Sequence, residues 1–154
     1  MTADDWKDRL RIFFESIDVL ELCKHETRDN FKQFCEFIAE PAFEALAEEM
    51  KEYKVKCKYW TQKGESTGIQ FNFPAGTVDS FHYVVSLPKN SLQLKLRLQI
   101  KGRKSPKAPL EESEEAFMER VTPDRVLKIS KEELLNDIVE RFRNYTYAAL
   151  TSVK

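Results

Sequence analysis

The sequence predicts an α+β fold of two layers. Three observations predict it. Apolar residues recur at helical spacing up to about residue 53. They alternate with polar residues from 54 to 100, and helical spacing returns after Ser130. Short turn-forming clusters separate the alternating runs, which is the pattern of an antiparallel meander with helices on one side.

Thr2 with Asp5 three residues later forms a capping box, Asp standing in for the usual Glu. Trp6, Leu10, Phe13, Phe14, Ile17 and Leu20 follow, giving a helix from about 3 to 22. Thr27 is expected to cap a second helix, whose apolar face runs from Phe31 and Phe34 through Ile38, Ala42 and Leu46 to Tyr53. Pro41 removes one hydrogen bond there, so the helix should kink or restart beside it.

At residue 54 the period changes to two. Lys54-Val55-Lys56-Cys57-Lys58-Tyr59 alternates strictly, and Gln62 to Ser66 turns the chain. Ile69, Phe71 and Phe73 mark a second strand, closed by a turn at Pro74-Ala75-Gly76. Phe81 to Leu87 is a third, more apolar strand, followed by a turn at Pro88-Lys89-Asn90. Leu92, Leu94, Leu96, Leu98 and Ile100 alternate with Gln93, Lys95, Arg97 and Gln99 in a fourth. Leu94, Leu96 and Leu98 are therefore expected to be buried, with Lys95 and Arg97 outside. Gly102 to Ser113, with two prolines and no apolar period, reads as a flexible loop. Glu114 to Val121 reads as a short helix, and Val126 to Ile129 as a fifth strand or an extended connector. Ser130 and Glu133 form a second capping box before a last helix of about 131–150. The two N-terminal helices and the last one are expected to cover the apolar face of the sheet.

The chain has 154 residues, the length of a single α+β domain spanning 1–154. It contains 42% hydrophobic and 33% charged residues, which excludes collagenous and wholly disordered classes. No apolar run reaches the roughly 20 residues of a membrane span, and the N-terminus lacks the basic and apolar regions of a signal peptide. Three cysteines make no disulfide framework and suit a reducing, cytoplasmic setting.

The net charge of −1 conceals a division along the chain. Residues 1–53 carry 14 acids and 7 bases, 54–107 carry 2 acids and 11 bases, and 108–154 carry 10 acids and 7 bases. The basic block coincides with the predicted sheet. Lys54, Lys56 and Lys58 share one side of the first strand, Lys95 and Arg97 one side of the fourth, and Lys101 and Arg103 extend it. Trp60 has the parity of the lysines, and His82 the parity of a wet face, together with Gln70, Asn72, Gln93 and Gln99. These residues predict a basic binding face with an aromatic platform, open to an acidic protein partner or to nucleic acid. Lysines on edge strands also guard against edge-to-edge aggregation, which accounts for the same residues without a ligand. The run Arg141 to Tyr147 mixes arginine and tyrosine, residue types favoured at binding hot spots; Tyr145 is expected to pack in the core and Tyr147 to lie off that stripe.

Catalytic signatures are sparse. Phosphate loops, dinucleotide fingerprints, nucleophile elbows and zinc-protease helices are missing from the sequence, and Cys23, His25 and Cys35 lack metal-ligand spacing. No motif calls for a cofactor or a metal. One pattern points to an enzyme. Asp79 opens a strand, and Gln93-Leu94-Lys95 lies on the next. This resembles the core of the PD-(D/E)xK nucleases, in which two acids hold a divalent cation and a lysine assists the water. The resemblance implies Asp79, Gln93 and Lys95 as catalytic candidates, joined by Glu44, Glu48 or Glu49 from a helix. Gln93 stands where that family has its second acid, and the lost carboxylate weakens a hard-cation site. The function expected is a non-catalytic binding or regulatory module acting through the basic sheet face. The alternatives are a nucleic-acid module or degenerate nuclease, and a carrier or enzyme with an aromatic-lined cavity.

Overall fold

Five antiparallel strands in the order β1-β2-β3-β4-β5 form one meander. A computed structural model describes residues 5–73, 78–105 and 107–151. The strands are β1 (Lys56–Gln62), β2 (Ser66–Asn72), β3 (Ser80–Ser86), β4 (Arg97–Arg103) and β5 (Glu111–Ala116). Helices α1 (Asp5–Phe34), α2 (Glu40–Met50) and α3 (Lys131–Leu150) complete the α+β fold. Thr2 and the turn at Pro74-Ala75-Gly76 lie outside the described residues.

Pro41 acts as its chemistry requires. It has no N–H to donate, and its ring opposes the carbonyl four residues back. The chain widens into a π turn at Cys35–Ala39, where the Glu40 amide donates to the Cys35 carbonyl, and restarts as α2 with the proline in its first turn. A π bulge of this kind relieves the clash without ending the helical path.

The core lies between the sheet's inner face and α2, α3 and the C-terminal turns of α1. Phe31, Phe34, Phe43, Phe71, Phe81 and Tyr83 are fully buried there. Each such side chain contributes about 1.5–3 kcal/mol of transfer free energy. Phe142 of α3 packs against Phe71, Phe73 and Phe81 at ring separations of 5.2, 5.5 and 5.4 Å. Leu94, Leu96 and Leu98 are buried, Lys95 is exposed and Arg97 half-exposed, as the alternation requires.

Six expectations are corrected. The helices placed at 3–22 and after Thr27 are one continuous helix. Thr27 caps nothing, because its hydroxyl donates back to the Cys23 carbonyl at 2.8 Å inside that helix. Nor does the first half of α1 cover the sheet: none of residues 5–22 is buried, and Trp6, Phe13 and Phe14 are each more than half exposed. Periodicity says that a face is apolar, not what covers it. The segment read as a loop at 102–113 instead carries the end of β4 and the start of β5, and the helix placed at 114–121 is the rest of β5 followed by a turn. β5 reads Glu-Glu-Ser-Glu-Glu-Ala; an edge strand wet on both faces has no apolar alternation to display. The fifth strand placed at 126–129 lies in a 3-10 helix, Pro123–Lys128, begun by a proline suited to a first turn. Finally, pairing of the fourth strand begins at Arg97, and Leu92 is about half exposed.

Candidate functional site

The sheet's outer face is built by its register. One row runs Lys56, Asn72, Ser80, Arg103, and the next runs Lys58, Gln70, His82, Lys101, Glu112. A third runs Trp60, Gly68, Val84, Gln99, Glu114, and the last joins Gln62, Ser66, Ser86 and Arg97. Strict antiparallel pairing with period two forces these side chains onto one surface. Of the expected site residues, Lys56, Lys58, Trp60, His82, Arg97, Lys101 and Arg103 are brought together. Lys54 and Lys95 are not part of the ladder. Lys54 precedes β1 in a left-handed turn at φ 60°, and Lys95 lies in the connection before β4.

Trp60 sits on Gly68. A Cβ at position 68 would stand 2.9 Å from Cζ2 of the ring, so only glycine leaves room for the indole to lie across the sheet. Val84 Cγ2 stands 3.0 Å from the same point, and the ring stays partly exposed. Beside it the Gln70 amide donates to Asn72 at 2.9 Å.

Charge on this face is uneven. Register places five bases (Lys56, Lys58, Arg97, Lys101, Arg103) against two acids (Glu112, Glu114). Both acids come from β5 and pair with β4, Arg97 with Glu114 at 3.1 Å and Lys101 with Glu112 at 3.6 Å. β4 is an interior strand, so edge protection does not explain its bases; their partners on β5 do. Edge protection remains an explanation for β1. His82 is half-buried between the two halves. Burial first, then Lys101 and Arg103, hold its pKa below the ordinary histidine value.

At the end of this face a cleft of about 770 Å³ opens beside Trp60. Lys24 and Arg28 of α1, Lys89 of the β3–β4 connection and Lys101 line it, with Glu65 as the acid. Sequence reasoning passed over Lys24, Arg28 and Lys89. Nothing local marks them, because their position depends on where α1 crosses the sheet's end. Gly68 did carry a signal, since glycine inside an alternating strand points to a close approach.

The other candidates do not assemble. Asp79 stands beyond one end of the β3–β4 pair, while Gln93 and Lys95 stand beyond the other. The seven paired residues between them span about 20 Å. The parts that resemble a nuclease core therefore do not converge. Among the described residues no group of three or more His, Cys, Asp or Glu side chains is placed to hold a metal ion. Burial pushes the Cys35 thiol up to about 12 and the Cys57 thiol to about 11, so neither is a thiolate near neutral pH. A groove of about 500 Å³ between α2, the start of β1 and α3 is lined by Leu46, Met50, Phe71, Phe73 and Phe142 and opens to solvent beside Tyr53 and Val139. Comparison with known proteins found no family, no curated protein and no solved structure that matches the chain.

Among the described residues no helix is long and apolar enough to cross a membrane.

Proposed function

We propose that the protein is a binding module whose outer sheet face engages an acidic protein segment. The observation that carries this reading is the register that gathers Lys56, Lys58, Lys101 and Arg103 around His82 on one surface. Lys56 and Lys58 lie across the sheet from the β5 acids, about 19 Å away at 4.8 Å per strand, beyond the range of strong screened attraction. An acidic segment laid across β1 to β3 would meet these charges and then the Trp60 ring. Arg28 and Lys89 would extend the contact into the cleft. Action by binding rather than catalysis fits the raised thiols and the separation of Asp79 from Lys95. A second reading, single-stranded nucleic acid, is favoured by one feature. The flat, partly exposed Trp60 ring among amide side chains is a surface on which a base stacks.

Fluorescence anisotropy of a labelled Asp/Glu-rich peptide and of a labelled single-stranded oligonucleotide separates the readings. The peptide should bind at low salt, and Lys58→Glu with Lys101→Glu should weaken it at least tenfold while circular dichroism stays unchanged. If the oligonucleotide binds instead, with a log–log salt slope reduced by about one for each lysine removed, the second reading replaces the first. Binding of neither probe ends the proposal.

A further inference from the structure

The N-terminal half of α1 carries an apolar stripe that no other described residue of the chain buries. Trp6, Leu10, Phe13, Ile17, Leu20 and Lys24 recur at alternating spacings of four and three, the seam of a coiled coil. The same seam continues as Thr27, Phe31 and Phe34, which are buried against the rest of the fold. One stripe is thus divided, its second half packed internally and its first half open. Trp6, Leu10, Phe13, Phe14 and Leu20 are each between 44% and 60% exposed.

We propose that this seam pairs with the same seam of a second copy of the chain, antiparallel, about a two-fold axis beside residue 15. In that register Leu10 meets Leu20 of the second copy, Phe13 meets Ile17, and Trp6 meets Lys24. Six seam layers form along a free helix of about 30 Å. The pairing ends where the seam enters the fold, so the two bodies stand at opposite ends of the rod.

Three arguments select this occupant. The first is charge. A parallel pair would stack Lys24 on its own copy in one buried layer. The antiparallel pair sends the two Lys24 side chains to opposite ends, where each keeps its ion pair to Glu21 of its own helix at 3.2 Å and Lys7 stays over its own Trp6 ring at 5.5 Å. Opposed helix dipoles favour it as well. The second is area. The open seam with Phe14 offers roughly 550 Å² per copy, so a pair buries on the order of 1,100 Å², at the lower bound of a specific interface. The third is the composition of the polar positions. Residues 5–26 hold six acids and four bases, and 12–23 hold no base at all, unlike the Lys/Arg-rich polar face of a membrane-surface helix. Ile12, Val19 and Leu22 lie on the other side and take no part in this pairing. The inference does not depend on the proposed function of the sheet face.

Sedimentation velocity of the full chain across micromolar concentrations tests it. A concentration-dependent species of two chains is expected. Ile17→Glu should return it to a single chain, with no loss of the fold's own unfolding transition, because residue 17 lies outside the core. Nitroxide labels at Asp8→Cys and Glu15→Cys, each in a Cys23→Ser background, report orientation by pulsed EPR. Both sites lie on the outer side of the helix. An antiparallel pair holds the 15–15 labels side by side and displaces the 8–8 labels by a further ~20 Å along the axis. Equal separations at the two sites mean a parallel pair and overturn the proposal. So does a single chain at every concentration, and so does a single chain whose Ile17→Glu variant differs only in binding to phosphatidylcholine vesicles.

Discussion

Single residues show how closely the two layers fit. Gly102 lies under the Tyr145 ring, and a Cβ there would overlap the ring carbons and hydroxyl. Gly102→Ala should therefore force α3 outward or turn Tyr145 from its place, at a cost of about 1–3 kcal/mol read by denaturant unfolding. Tyr83 illustrates the other requirement of a buried layer. Its hydroxyl is carried to Asp137 on α3, to which it donates at 2.5 Å, so a polar group inside the core is satisfied. Burial raises the Asp137 carboxyl, and Arg141 stands on its other side at 3.9 Å. His82 provides a titration on the opposite face. Burial, then Lys101 and Arg103, lower its folded pKa. An unfolded histidine titrates near 6.5, so the unfolded chain takes up the proton first as pH falls. The contribution of His82 to stability is thus full above about pH 6.5 and is lost as pH drops below it. Thermal unfolding between pH 7.5 and 5.5 should show a steeper decline for the natural chain than for His82→Gln; equal slopes would remove His82 from the account.

Elements differ in how they end and in what they face. α3 begins at Ser130, whose hydroxyl accepts from the Glu133 amide at 3.1 Å, the N-cap half of the capping box the sequence predicts. Ser130→Ala should cost about 1 kcal/mol, within the 0.5–2 range of such caps, and Ser130→Asp should restore it; chemical denaturation measures both. The other predicted cap, Thr27, fails because its helix never starts afresh. A threonine inside a helix bonds backwards to the carbonyl four residues before it, here Cys23. β5 has almost no apolar content and holds its place by backbone pairing with β4 and by Arg97, Lys101 and Lys104 opposite its glutamates.

At the level of the whole molecule, the charge blocks of the sequence are rearranged by folding. The acidic segment after residue 107 returns to the basic segment as β5 and neutralises part of β4. Removing that neutralisation should expose more of the positive face. Glu112→Gln with Glu114→Gln is expected to strengthen binding of the acidic peptide several-fold at low salt. The gain should vanish near 1 M salt, where the screening length falls to about 3 Å. Stability should change by less than about 1 kcal/mol, because both glutamates are exposed and such surface pairs contribute little. Anisotropy titrations of the double variant at two salt concentrations check the first expectation. An unchanged affinity at low salt would place the peptide elsewhere.

Local patterns along the chain account for the α+β class, the meander of β1 to β4, the restart at Pro41, the cap at Ser130 and the burial of Leu94, Leu96 and Leu98. Each of these rests on local chemistry: a period, a missing N–H, a hydroxyl three residues before an amide. Local patterning also determines that Lys56, Lys58, Trp60, His82, Lys101 and Arg103 share a face, because parity in paired strands is a local property. Long-range packing sets what lies against what. β5 was illegible because a strand wet on both faces carries no apolar period, and its existence depends on the bases of a strand distant in sequence. The fate of α1 was illegible for a related reason. Its seam is continuous from Trp6 to Phe34, and the sequence has no mark at the point where the fold stops covering it. The cleft residues Lys24, Arg28 and Lys89 belong to that same class. Their meeting is set by the angle at which α1 leaves the sheet, which is fixed by the packing of Phe31 and Phe34 and not by any pattern around the charges themselves.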